Sequence, residues 1–219
     1  MKSKITIFLF FFVSIYIVFE RGEYKNAYFF DSSGYYLYLP DAFISPDLGH
    51  LKFYPEVNRK YCLSGTDDNY GMFDQPNGRK TNKYAIGTAI FELPFFLVAH
   101  SYCIITKNFV ADGYTLPYRF AIIFSSIFWV CLGLIYLRNF LRNYFSESIV
   151  AIVLLCITFG TNLYYFTAFW QGMSHPYGFF LSASILFYTH RLYQKGHHRD
   201  FYFLGLLLGL VIITRPVNI

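Results

Sequence analysis

Six stretches of this chain are apolar over most of a bilayer's thickness: residues 5–19, 84–105, 116–137, 148–169, 176–193, and a run from 201 that closes at Thr214-Arg215-Pro216. A water-soluble domain has no use for so many such runs in 219 residues, so the pattern restricts the chain to a polytopic all-α membrane architecture. Composition agrees, since charged residues make up only 14% where a soluble domain carries about a quarter. The excess of Lys and Arg lies in short clusters between the runs, which sets membrane orientation and gives no continuous stripe for nucleic acid.

The first run follows Met1-Lys2-Ser3-Lys4 and ends at Glu20-Arg21. Those flanks suit a secretory signal as well as an anchor, but no small-x-small cleavage site follows. A retained signal-anchor over residues 1–19 is expected, with a cytoplasmic N-terminus in a multi-pass cell (inner) membrane protein. If every later run crossed, Arg138, Arg142 and the Arg191, Lys195, Arg199 cluster would lie outside, against the positive-inside rule. The conflict disappears if residues 84–105, which carry Glu92, Pro94 and His100, form a juxtamembrane helix on the outer surface. The expectation is therefore five transmembrane helices, an extracytoplasmic loop over residues 20–115, and a helical bundle over 116–219 that ends abruptly at Asn218-Ile219, like the front part of something longer.

That outer loop is too long for a simple connection, and its aromatic residues, with Tyr35-Tyr36-Leu37-Tyr38-Leu39 at the centre, argue for a folded cap. Asp31 opens this segment close to the membrane surface, where a carboxylate can serve as general base; as a helix N-cap it would be merely structural. Asp41 and Asp47 are the next carboxylates along. Arg79, Lys80 and Lys83 precede an apolar run and suit either a phosphate or ordinary headgroup contact. His175, between two runs beside Trp170 and Tyr177, is a helix-start histidine open to a structural or a binding role. Arg215 is a membrane-edge cation that faces a lipid phosphate or snorkels. Cys103, Cys131 and Cys156 lie in apolar runs, where buried small hydrophobes are expected, and no spacing of Cys or His assembles a metal site.

The order of these pieces resembles the N-terminal part of the GT-C type membrane glycosyltransferases, the superfamily of protein O-mannosyltransferases and aminoarabinose transferases. The residues that carry the resemblance are Asp31 with Tyr35, the entry Lys83-Tyr84-Ala85-Ile86-Gly87 with Pro94-Phe95-Phe96, Tyr118-Arg119, and Thr214-Arg215-Pro216. The resemblance implies transfer of a sugar from a polyprenyl-phosphate carrier to an acceptor on the outer face. Asp31 would be the base, Tyr35 a neighbour in the substrate site, and Lys83, with Arg79, Lys80 and Arg215, would hold the carrier phosphate. Some relatives carry a second acidic residue where this chain has His175; no metal and no cofactor is expected. The competing readings are a non-catalytic truncated remnant and a transport or scaffold subunit. The latter would need ionisable residues inside the spans, and after Leu116 these are few apart from Arg119.

Overall fold

The computed structural model describes residues 2–22, 24, 27–47, 49–64 and 70–216, so the chain end at Asn218-Ile219 lies outside the described residues. Among the described residues ten helices and one small hairpin follow in order: α1 (Lys2–Glu20), α2 (Asp31–Tyr36), α3 (Tyr38–Phe43), α4 (Tyr54–Tyr61), β1 (Met72–Asp74), β2 (Lys80–Asn82), α5 (Gly87–Thr106), α6 (Leu116–Leu141), α7 (Glu147–Phe159), α8 (Asn162–Ala168), α9 (Ser174–Lys195) and α10 (His198–Thr214). This is an all-α membrane-type bundle with a small cap. Among the described residues α1, α5 and α6 are long and apolar enough to cross a bilayer, and α7 with α8 makes a fourth if the bent pair is one span.

The long helix α6 is the spine. Trp129 and Tyr136 meet Phe180 and Tyr188 of α9, so the two helices run in the same direction. On its other side α1 runs the opposite way, with Phe19 stacked on Phe120 near one end and Ser3 accepting from Arg138 Nε at 2.6 Å near the other. Glu147 at the start of α7 accepts from the Ser3 hydroxyl at 2.5 Å and pairs with Arg138 and Arg142 at 3.5 and 3.3 Å. The basic residues between α6 and α7 thus gather at the N-terminal end of the bundle. Those between α9 and α10 reach the same end, where Arg191 holds the fully buried Asp200 through bonds of 2.6 and 2.9 Å.

The run 148–169, expected as one spanning helix, is two. The pair α7 and α8 bends by 60° at Gly160-Thr161. Gly160 closes α7 by donating to the Cys156 carbonyl at 2.8 Å, and the Thr161 hydroxyl accepts from Leu163 N at 3.2 Å to open α8. A helix end placed inside an apolar region has to satisfy its own amides, and a glycine followed by a capping threonine does so. A second departure concerns Cys156, which is exposed on the outside of the bundle; Cys103 is buried and Cys131 half-buried.

The helix α5 starts at Gly87 rather than Tyr84, and its first turn lies against the end of α10: a Cβ on Gly87 would stand 2.5 Å from the Thr214 backbone. It pairs antiparallel with α6, with Cys103 and His100 beside Tyr118 and Phe91 beside Ser125 and Trp129. Glu92 does not face lipid. It is 1% exposed, and its Oε1 accepts from Tyr177 of α9 at 3.0 Å. The insertion penalty that argued against crossing therefore falls on a carboxyl sheltered by protein, not on one in hydrocarbon.

The cap is folded, as its aromatic content implies. Tyr28, Tyr36 and Tyr114 pack together, tilted or edge to face, at centroid distances of 4.8 to 5.6 Å and continue into Phe96 of α5, so the cap shares a core with the bundle.

Candidate functional site

Asp31 is the first residue of α2, and Phe30 holds the capping position with φ +51°. The Asp31 side chain is not a cap. Its Oδ1 accepts from the Tyr70 hydroxyl at 2.8 Å and from the Tyr84 hydroxyl as well, while Oδ2 has no hydrogen-bond partner among the described residues. Two phenols on one carboxylate oxygen fix the plane of the group and leave the second oxygen to a ligand. Burial and the bond to Asp31 raise the Tyr84 pKa far above the ordinary phenol value, and the Asp31 bond leads the rise at Tyr70, so both stay donors throughout the physiological range.

Tyr84 is placed by a tight local frame. The ring lies over the backbone of Gly34, where a Cβ would stand 2.0 Å from Cδ2. Its backbone N donates to Asn82 Oδ1 at 3.0 Å, its carbonyl accepts from the Tyr38 hydroxyl at 2.5 Å, and Asn82 Nδ2 donates to the Gly34 carbonyl at 2.7 Å. Tyr70 precedes Gly71, whose φ of +74° turns the chain so that its carbonyl accepts from Lys83 N at 2.9 Å. The hairpin thereby brings Tyr70, Lys83 and Tyr84 to Asp31 together. Lys83 lies over both rings, 5.0 Å from the Tyr70 centroid and 4.7 Å from that of Tyr84, and Tyr35 packs on Tyr84 at 4.8 Å.

Asp31 opens onto a pocket of about 370 Å³ lined by Phe30, Tyr70, Tyr165, Phe166, Trp170 and Met173. Phe166 joins this pocket to the residues behind it, since its ring stacks on His175 at 3.9 Å and 10°. His175 Nδ1 in turn accepts from Arg215 Nη1 at 3.4 Å. Each of two cations thus reaches a wall residue without lining the pocket, Lys83 through the ring of Tyr70 and Arg215 through His175, which stacks on Phe166.

Of the residues nominated from sequence, Asp31, Tyr35 and Lys83 form one cluster, and His175 and Arg215 a second that shares the pocket wall. Arg79 and Lys80 belong elsewhere. They sit at the turn end of the hairpin, where Lys80 Nζ pairs with Asp74 at 2.9 Å and its amide donates to the Gly49 carbonyl at 2.7 Å. Asp41 and Asp47 are structural: Asp41 Oδ1 accepts from Asp47 N, and Asp47 Oδ2 from Lys52 N, at 3.0 and 3.1 Å. Burial pushes the Asp41 carboxyl up to about 6, whereas the Lys52 amide holds Asp47 below its ordinary value.

No family model, curated protein or solved structure matches this chain. The site therefore rests on its own geometry. Sequence reasoning missed Tyr70 and Tyr84 as carboxylate partners and gave Trp170 no part in the site. A usable signal was present in Asn162-Leu163-Tyr164-Tyr165-Phe166-Thr167-Ala168-Phe169-Trp170, an aromatic run beginning just after the helix stop at Gly160. Among the described residues no group of His, Cys, Asp and Glu has the makings of a metal site.

Proposed function

We propose that this chain is a membrane glycosyltransferase of GT-C type that moves a sugar from a polyprenyl-phosphate carrier to an acceptor hydroxyl, on the membrane face away from its N-terminus. The observation that carries this reading is the Asp31 carboxylate, with one oxygen held by two tyrosines and the other unbonded among the described residues at an aromatic pocket, whose wall residues Tyr70 and Phe166 are contacted by Lys83 and by the Arg215-bonded His175. In the reaction Oδ2 takes the proton of the acceptor hydroxyl while that oxygen bonds to the anomeric carbon. The bond from the anomeric carbon to the carrier phosphate breaks, and its electron pair leaves with the phosphate, inverting the centre. Lys83 or Arg215 stabilises the departing charge, where fixed charges contribute most to rate.

The test compares purified wild type with Asp31→Asn on a polyprenyl-phosphate sugar. The amide oxygen still accepts from Tyr70 and Tyr84, so the fold is retained, but the amide cannot take a proton. Transfer is expected to fall by about 10²-fold or more. Equal rates in the two proteins would remove Asp31 as the base.

The proposed topology places the N-terminus in the cytoplasm, with α5 dipping into the outer leaflet rather than crossing. In support, the described ring and hydrogen-bond contacts of α5 on α6 run only from Tyr118 to Trp129. They stop about 14 Å short of Arg138 along the helix, at 1.5 Å per residue. Impermeant cysteine labelling at Asn139 and Gly196 from outside is expected to fail; labelling at either position overturns the model and makes α5 a span.

A further inference from the structure

The pocket beside Asp31 combines a wall of rings with a carboxylate that has one oxygen unbonded among the described residues. Five aromatic residues, Phe30, Tyr70, Tyr165, Phe166 and Trp170, line it together with Met173, and among the described residues the one charged side chain lining it is the Asp31 carboxylate. That carboxylate has no ion-pair partner among the described residues, and Lys83 lies over the rings of Tyr70 and Tyr84. Phe30 bridges the wall, edge-on to Tyr70 at 5.6 Å and stacked on Trp170 at 6.3 Å, and Tyr165 continues it at 6.3 Å from Trp170. Rings of this kind attract a cation through their electron-rich faces, more strongly where water is excluded, and a nearby unpaired carboxylate adds direct attraction.

We infer that the acceptor of this site carries an ammonium group next to its hydroxyl. The rings take the ammonium, and Asp31 Oδ2 meets the hydroxyl. The inference rests on the reading of Asp31 as the substrate-facing base, and it names the class of acceptor, an amino alcohol, that the pocket selects. Two sources supply that chemistry, a soluble amino alcohol and the headgroup of an aminophospholipid.

Choline is the probe, because it places a hydroxyl beside a permanent cation, and 3,3-dimethylbutan-1-ol has the same shape without the charge. Each is titrated into the full chain in phosphatidylglycerol nanodiscs and followed by tryptophan fluorescence and calorimetry. Choline is expected to saturate the site and to bind about tenfold or more tightly than the neutral alcohol, with the preference falling to about twofold or less in Asp31→Asn. Equal affinities, a preference that survives Asp31→Asn, or no saturable binding of either compound would each overturn the inference. Repeating the titration with phosphatidylethanolamine in the nanodisc separates the sources: competition that weakens choline about tenfold identifies the lipid headgroup, and an unchanged affinity identifies a soluble amine. Loss of transfer in Asp31→Asn with the choline preference intact would sink the ammonium assignment alone. Charge-selective choline binding with no dependence of transfer on Asp31 would sink the base instead.

Discussion

Replacing Gly34 with alanine tests how the carboxylate is held. The added methyl carbon would stand 2.0 Å from Tyr84 Cδ2 and 2.3 Å from Cε2, so the ring must retreat about 1.4 Å to reach the 3.4 Å of ordinary contact. It has little freedom to do so, because Tyr84 is 6% exposed and its backbone is tied to Asn82 and Tyr38 on both sides. Overpacking of this kind costs about 1 to 3 kcal/mol, and a lost hydrogen bond to a charged group about 1.5 to 3. The two are coupled through one ring and do not add, so a net loss of about 3 kcal/mol is expected. For a chain of this length that lowers Tm by about 6 to 12 °C, read from thermal unfolding in detergent. Removing the ring should remove the penalty: Gly34→Ala made on a Tyr84→Ala background is expected to cost under about 0.5 kcal/mol. A Tm within a degree of wild type for Gly34→Ala alone, or an equal loss in both backgrounds, would refute the idea that Tyr84 is seated on Gly34.

Asp41 gives a pH signature. Burial pushes its carboxyl up to about 6 in the folded protein against about 3.9 unfolded, so the folded state binds the extra proton and this group's own contribution to stability is fully present below about pH 4. As pH rises from about 4 to about 6 that contribution is lost, and Asp41→Asn, which still accepts from Asp47 N, is expected to flatten the Tm profile across that window; an unchanged slope would contradict the assignment. At the opposite end of the bundle, Arg191→Ala leaves the buried Asp200 without its two-bonded partner. A lowered Tm in thermal unfolding is expected, and a Tm equal to wild type would mean that water reaches Asp200 in place of the guanidinium.

Much of the helical layout is legible because hydrocarbon solvent leaves so few choices. The apolar runs mark α1, α5, α6, α9 and α10 to within a few residues. The shift of α5 to Gly87 was not readable, because Tyr84 is drawn out of the helix by Asp31 and Tyr38, contacts 53 and 46 positions away in sequence. The break at Gly160-Thr161 was readable in principle as a stop followed by a cap, yet it was masked by the unbroken hydrophobicity on either side. At the site, Asp31 could be nominated from its place after the first helix. Its phenolic partners could not, since tyrosines are plentiful in the cap and only the hairpin decides which two arrive. His175 and Arg215 were each visible as a membrane-edge residue, but nothing in their 40-residue separation announces that they meet.

The break between α7 and α8 also sets the aim of the pocket's far wall. Helix α8 has 7 residues, about 10 Å of axis, so swinging it by 60° moves its tip by roughly 10 Å compared with a straight continuation of α7. That displacement carries Tyr165 and Phe166 from a course along the bundle to a position across from Asp31. Azimuth matters as much as tilt: one residue inserted within α8 ahead of Tyr165 would turn both rings by about 100° and point them away. The segment therefore behaves like a keyed coupling, tolerant of side-chain replacement along α7 but intolerant of any change in residue count between Thr161 and Tyr165. Homologous chains that share this pocket should keep the spacing from that joint to Trp170 fixed, even where the helices on either side have drifted in sequence.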